Sequence, residues 1–138
     1  MSIGSQKSSE ISHVLGVDFG KAKIGLAFAD TETKIAFSLT ILENNNQLFD
    51  NLREIIAEKE IGRIVLGVTN YANQEDEDKK IFGGKMEEEL KIPVEFHNEM
   101  FTTKMAQDNL KESGAKNIGK IDDSESAKII LQSWLDRS

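Results

Sequence analysis

The stretch Ile64-Val65-Leu66-Gly67-Val68 constrains this chain more than any other. It is short, continuous, apolar and rich in β-branched residues, the composition of a strand buried on both faces, as in a parallel sheet. Segments with helical spacing flank it. From Gln47 to Lys59 apolar residues fall at Leu48, Leu52, Ile55 and Ile56, one face of a helix, after an Asn44-Asn45-Asn46 loop that offers an N-cap. From Glu75 to Leu90 the stripe is Ile81, Phe82, Met86 and Leu90, interrupted by Gly83-Gly84. A helix, a buried strand and a second helix in succession require a layered α/β arrangement.

The remaining segments extend that pattern. Val14 to Asp18 is an apolar run ending in a carboxylate, and Ile24 to Ala29 has strand composition. A tight turn over Phe19-Gly20-Lys21-Ala22-Lys23 makes the two a hairpin. Lys34 to Ile41 is expected to be a third strand. Pro93 to His97 is another, with the only Pro at its start, where no ladder donor is needed. Thr102 or Thr103 caps a helix to about Glu112, ended by Gly114, and Asp123 or Ser124 caps a last helix to about Leu135. Residues 1–12 are polar and aperiodic and read as a flexible tail, leaving 13–138 as one domain. The expected fold is a mixed central sheet of about five strands with helices on both faces.

Composition removes several functions. With no Cys there is no disulfide framework, thiolate metal site or cysteine nucleophile. The two His, His13 and His97, cannot build a histidine cage. No apolar run approaches the roughly 20 residues of a membrane span, and the N-terminus has no signal-peptide core, so a cytoplasmic location without membrane contact is expected. The net charge of −7 argues against a non-specific nucleic-acid coat, which rests on Lys and Arg. It is compatible with an enzyme that gathers carboxylates at a metal site.

Three acids hold distinctive positions. Asp18 ends the first strand and Glu99 lies just past the strand that starts at Pro93; in open α/β sheets, sites form beyond the carboxyl ends of strands. Ala127, Ile130, Leu131 and Trp134 follow Asp123 by 4, 7, 8 and 11 residues, so Asp123 shares the stripe that packs on the sheet. Asp122 is rotated about 100° from it. Three inward carboxylates repel one another and are costly to desolvate. Mg²⁺ or Mn²⁺ removes both problems, and two such ions roughly 4 Å apart activate a water and stabilise the leaving oxygen of a phosphodiester. Singly, each acid has an ordinary reading: a strand-end turn, a loop acid, an N-cap. Only their combination carries chemistry. The run Glu75-Asp76-Glu77-Asp78 reads as a solvated helix start with no ligand role, Trp134 as core, and His97 as a packing or surface residue.

These motifs also carry a family resemblance. Leu15-Gly16-Val17-Asp18-Phe19-Gly20-Lys21-Ala22-Lys23-Ile24-Gly25-Leu26-Ala27 resembles the opening of the YqgF/RuvX family, small bacterial RNase H-like proteins described as pre-16S rRNA nucleases or Holliday junction resolvases. Ile64 to Val68 resembles its "vvGlP" strand, Asn98 to Thr103 its "DERlsT" segment, and Asp123 to Leu135 its closing "DslAAviLqdyL" helix. The resemblance runs from about Val14 to Leu135. It implies an RNase H-like fold, with Asp18, Glu99 and Asp123 as metal-binding and catalytic residues for two Mg²⁺ or Mn²⁺ ions. The chain departs from the pattern at Asn98, Met100 and Thr69, and at Lys23, which replaces an Arg and lacks its bidentate fork.

The implied function is a metal-dependent endonuclease acting on structured RNA, with maturation of the 5′ end of pre-16S rRNA in ribosome biogenesis as the leading substrate and branched DNA as the alternative. A non-catalytic RNA or ribosome-assembly binding module is the alternative of another class. Lys21, Lys23, Lys104, Lys111, Lys116 and Lys120 are the candidate nucleic-acid contacts, and a monomer or a homodimer satisfies the sequence.

Overall fold

A computed structural model describes residues 13–69, 74–98 and 123–137. The elements are β1 (His13–Phe19), β2 (Lys23–Asp30), β3 (Phe37–Glu43), α1 (Leu48–Lys59), β4 (Ile61–Val68), α2 (Gln74–Leu90), β5 (Val94–Asn98) and α3 (Asp123–Arg137). They form a five-stranded sheet in the order β3-β2-β1-β4-β5. β1 is antiparallel to β2 and β2 to β3, whereas β4 is parallel to β1 and β5 to β4. The run at Ile64–Val68 lies in the strand between β1 and β5, where both faces are covered.

The two faces differ in residue size, and the alternation of strand side chains explains why. On one face Leu15, Val17, Ile24, Leu26, Ile64 and Leu66 meet Leu48 and Leu52 of α1 and Phe82 and Met86 of α2. On the other, Val14, Ala27, Ala29 and Val65 meet Ala127, Ile130, Leu131 and Leu135 of α3. The second floor is made of small residues, so α3 seats close to it. A Cβ added at Gly16 would lie 2.8 Å from Leu131 Cβ and 3.1 Å from the Ala127 carbonyl oxygen.

Polar contacts fix the direction of α3. Gln132 accepts a hydrogen bond from Ala36 N (2.9 Å) and donates one to the Lys34 carbonyl (3.0 Å), whereas Ser38 reaches the Ser124 carbonyl and Glu125 (3.4 Å each). Moving up β3 therefore means moving down α3. Two antiparallel pairings make β3 parallel to β1, so α3 runs against β1 and its first residues lie at the carboxyl end of that strand.

Four expectations need correction. The third strand begins at Phe37, three residues later than Lys34, and runs on to Glu43. Lys34 has a φ of 59° and belongs to the turn whose N–H bonds the Asp30 carbonyl. Ile81 does not belong to the buried stripe of α2; it is 65% exposed, because the helix turns Phe82, Gly83 and Met86 toward the sheet. The acidic run is not wholly solvated, since Asp76 is 1% exposed. Trp134 is partly buried rather than core, with Nε1 donating to Glu95 (3.0 Å).

Candidate active site

The parallel strands β1, β4 and β5 end side by side. Val17 of β1 pairs with Leu66, and Val68 at the end of β4 pairs with Asn98 at the end of β5. Asp18 follows Val17 and is partly buried. It stands two residues beyond Gly16, so strand alternation puts it on the α3 face. Asp123 is the first residue of α3, one turn before Ala127, the residue whose carbonyl meets the Gly16 position. Two strand residues span about 6.6 Å and four helical residues about 6 Å. Both acids therefore lie a similar step beyond the Gly16–Ala127 contact, at the same end of the same face.

The expected stripe is borne out for Ala127, Ile130 and Leu131, which are all buried. Asp123 is placed by its helix alone. Glu99, immediately after Asn98, lies outside the described residues, as do the expected helix after Thr102 or Thr103 and Lys104, Lys111, Lys116 and Lys120. Among the described residues no group of three His, Cys, Asp or Glu side chains gathers.

The β1–β2 turn forms one wall of this end. A Cβ at Gly20 would lie 2.6 Å from the Lys23 carbonyl oxygen, so the turn is as tight as glycine allows. Asn44 braces it from the loop before α1: its Nδ2 donates to the Gly20 carbonyl (3.0 Å) and its N–H to the Ala22 carbonyl (2.9 Å). Lys21 and Lys23 project from this braced turn and are exposed.

The other wall holds a residue that sequence reasoning missed. Asp76, in the first turn of α2, accepts hydrogen bonds from Thr69 N (2.8 Å) and Thr69 Oγ1 (3.0 Å) and so ties the helix to the chain leaving β4. Lys79, one turn further, is also buried. The available signal was phase: Asp76 stands two turns before Gly83, whose α-carbon faces the Phe96 ring and Leu66.

His97 sits on the α3 side of β5, 6% exposed, sharing a 2.9 Å hydrogen bond with Ser133 Oγ. Burial pushes its pKa below the ordinary 6.5; Arg137 lowers it further and Glu95 opposes the shift. It fastens α3 to the edge strand with a neutral ring. The sequence expectation of a packing role is met.

A five-stranded mixed sheet in this order, with helices on both faces, has solved counterparts. T. thermophilus RuvC, solved in complex with a Holliday junction substrate, superposes with a TM-score of 0.60 at 15% identity, covering 91% of this chain and 94% of that one. Fowlpox virus resolvase, solved with Holliday junction DNA, gives 0.54 at 10% identity over 91% and 97%. The fold is RNase H-like. In sequence, a protein of Maridesulfovibrio salexigens named "Putative pre-16S rRNA nuclease" is 33% identical over 137 residues, covering 91% of this chain and 98% of its own. A Porphyromonas gingivalis protein of the same name is 32% identical over 91% and 97%.

Fold and relatives together define a nuclease, a hydrolase of phosphodiester bonds. The family model RuvX, described as Holliday junction resolvase, matches residues 12–137, and the chain belongs to that family. Nucleases of this family and fold generally work with divalent metal ions. Among the described residues no helix is long and apolar enough to cross a membrane.

Proposed function

We propose that the chain is a metal-dependent endonuclease that trims the 5′ end of pre-16S rRNA, with Asp18, Glu99 and Asp123 as the residues that hold Mg²⁺ or Mn²⁺. The observation that carries this reading is the shared position of Asp18 and the first residue of α3 on one face, at the carboxyl end of β1. The donor set suits the ion: hard carboxylate oxygens with no thiolate, as Mg²⁺ and Mn²⁺ prefer. When bound, a pair of such ions lowers the pKa of an attacking water and stabilises the leaving oxygen.

The chain's own residues supply the rest. The buried floor beneath Asp18 holds its backbone rigid, so that its carboxylate need not reorganise during the reaction. Lys21 and Lys23, on the turn fixed by Asn44, meet the phosphates flanking the cut. Lys104, Lys111, Lys116 and Lys120 extend that contact along the chain between Glu99 and Asp123. Work in the cytoplasm as a monomer or homodimer, on RNA the cell transcribes there, completes the reading.

The test pairs a labelled rRNA precursor with a four-way DNA junction, each with Mg²⁺, Mn²⁺ or EDTA. Metal-dependent cutting of the precursor, lost in Asp18→Asn while the melting temperature holds, is the expected result. Cutting of the junction alone makes branched DNA the substrate. Binding of RNA that is unchanged in Asp18→Asn, with no cutting by either protein, makes the chain a binding module instead.

A further inference from the structure

We propose that the furrow between the β1–β2 turn, the Asn44–Asn46 loop, α1 and α2 is a stacking subsite for one unpaired nucleobase. The base belongs to the strand whose backbone passes the Asp18 end, so the proposal rests on the nuclease reading above.

Phe19 directly follows Asp18, and strand alternation turns it to the opposite face of the sheet, toward α1 and α2. Its ring centre lies 4.6 Å from that of Phe82, and the Phe49 ring lies 5.9 Å from Phe82. Phe82 is buried, but Phe19 and Phe49 are only half-buried, and both line a cavity of about 370 Å³. Ile81, the large apolar residue that α2 turns away from the core, stands on the same rim. The furrow is therefore lined by aromatic rings, tilted to one another by 38° and 42°, and open at its edge, where the face of a nucleobase can lie against them.

Polar groups surround the rings where a base would present its edge. Asn44 is held by its bonds to the turn, and Asn45 Oδ1 accepts from Gln47 N (2.9 Å), so the loop is fixed before any ligand arrives. Lys85 Nζ lies over the Phe49 ring, 5.2 Å from its centre, a cation on a flexible stem that a stacking base would displace toward its own phosphate. A smaller recess of about 90 Å³ shares Phe19 and Asp78 with the furrow and leads to Gly20 and Lys21, beside Asp18. The solvent-facing charges lining the two recesses balance, Lys21 and Lys85 against Glu75 and Asp78, in a chain of net charge −7; Lys79 is buried beneath them. A charge-balanced patch around aromatic faces, on a chain that is acidic as a whole, fits a nucleic-acid strand better than an acidic copy of this chain.

The probe is a single-stranded RNA of twelve nucleotides carrying one 2-aminopurine, in EDTA so that nothing is cut. Stacking quenches its emission. Phe49→Leu removes the ring and keeps the apolar volume, and is expected to weaken binding about tenfold, at the low end of what one stacked base contributes. Ile81→Glu, at an exposed position where the fold is not at risk, is expected to weaken binding and quenching as well. Unchanged quenching and affinity in both variants, or a wild-type protein that binds no single strand, overturns the proposal. So does self-association that Ile81→Glu abolishes while RNA binding stays the same, because the furrow is then the seat of a second copy. Metal-dependent cutting in the separate assay decides the nuclease reading either way: cutting with no stacking removes only the subsite, and stacking without cutting removes only the nuclease.

Discussion

Replacing Gly16 by Ala tests how the sheet positions the last helix. The new Cβ would lie 2.8 Å from Leu131 Cβ, 3.1 Å from the Ala127 carbonyl oxygen and 3.3 Å from Leu131 Cδ2. Carbon atoms in contact rest about 3.5–4.0 Å apart, so the first contact needs about 1 Å of relief. Neither of the two nearest atoms is the end of a flexible side chain. One is a Cβ fixed to the helix backbone and the other is backbone itself, so relief requires α3 to lift as a body.

Overpacking of this kind costs about 1–3 kcal/mol. Against it, Ala restricts the unfolded chain and returns about 0.4–1 kcal/mol. The expected net is a loss of roughly 0.5–2 kcal/mol, read as a lower urea midpoint at unchanged slope. Function is expected to fall further than stability. In the proposed site, lifting α3 carries its first residue, Asp123, away from Asp18, and a 1 Å misplacement at a reacting centre costs about 10²-fold in rate. The assay is metal-dependent cleavage at a temperature where the variant is fully folded. Gly62→Ala is the control, since nothing lies within 4 Å of a Cβ there and neither stability nor cutting should decline. A Gly16→Ala protein as stable as wild type refutes the close seating of α3. One that is destabilised yet cuts at the wild-type rate refutes the coupling between that seating and the site.

Three further perturbations address the walls of the site. Asp76→Ala removes both hydrogen bonds from Thr69 and should cost about 2–3 kcal/mol in urea denaturation, as expected of charge-assisted bonds; Asp76→Asn keeps an acceptor oxygen and should cost clearly less, and equal midpoints for the two would deny the clamp. In α2, Gly84→Ala meets nothing within 4 Å and should raise stability by about 0.5–1 kcal/mol. Gly83→Ala places its Cβ 2.7 Å from the Phe96 ring, which must swing aside, so it should gain less or lose; calorimetric melts that rank the two variants the other way would contradict this packing. His97 has a folded-state pKa below its ordinary 6.5, so the unfolded chain binds its proton first as pH falls. Its contribution is present above about pH 6.5 and is lost as pH drops toward the folded value. Between pH 7 and 5, wild type should therefore lose more stability than His97→Gln, and parallel urea midpoints in the two proteins would argue against a buried neutral ring.

The sheet was legible in the sequence because its signals are redundant. Ile64–Val68 is β-branched, continuous and short, and Val14–Asp18 and Ile24–Ala29 repeat that composition on either side of a glycine turn. The helix α3 was legible because its stripe is uninterrupted from Ala127 to Leu131. Helix α2 was found, but its face was misjudged, and its residues show why. The buried stripe includes Asp76 and Lys79, which no hydrophobic period counts, and Gly83, which carries no side chain to count. With those positions blank, Ile81 passed for core and the acidic run for solvent. A buried carboxylate becomes predictable only when its donor is known, and Thr69 lies seven residues away across a change of structure.

The same reasoning separates what holds the candidate site from what would act in it. Asp18 was visible as the polar end of an apolar strand, yet its relation to Asp123 depends on the glycine and alanines of one sheet face, residues that read in sequence only as weak strand formers. Size alternation across β1 and β2, large toward α1 and α2 and small toward α3, sets how near the last helix lies. A chain with the same three acids but Val or Ile at positions 16 and 27 would push α3 off the sheet and carry its first residue further from Asp18.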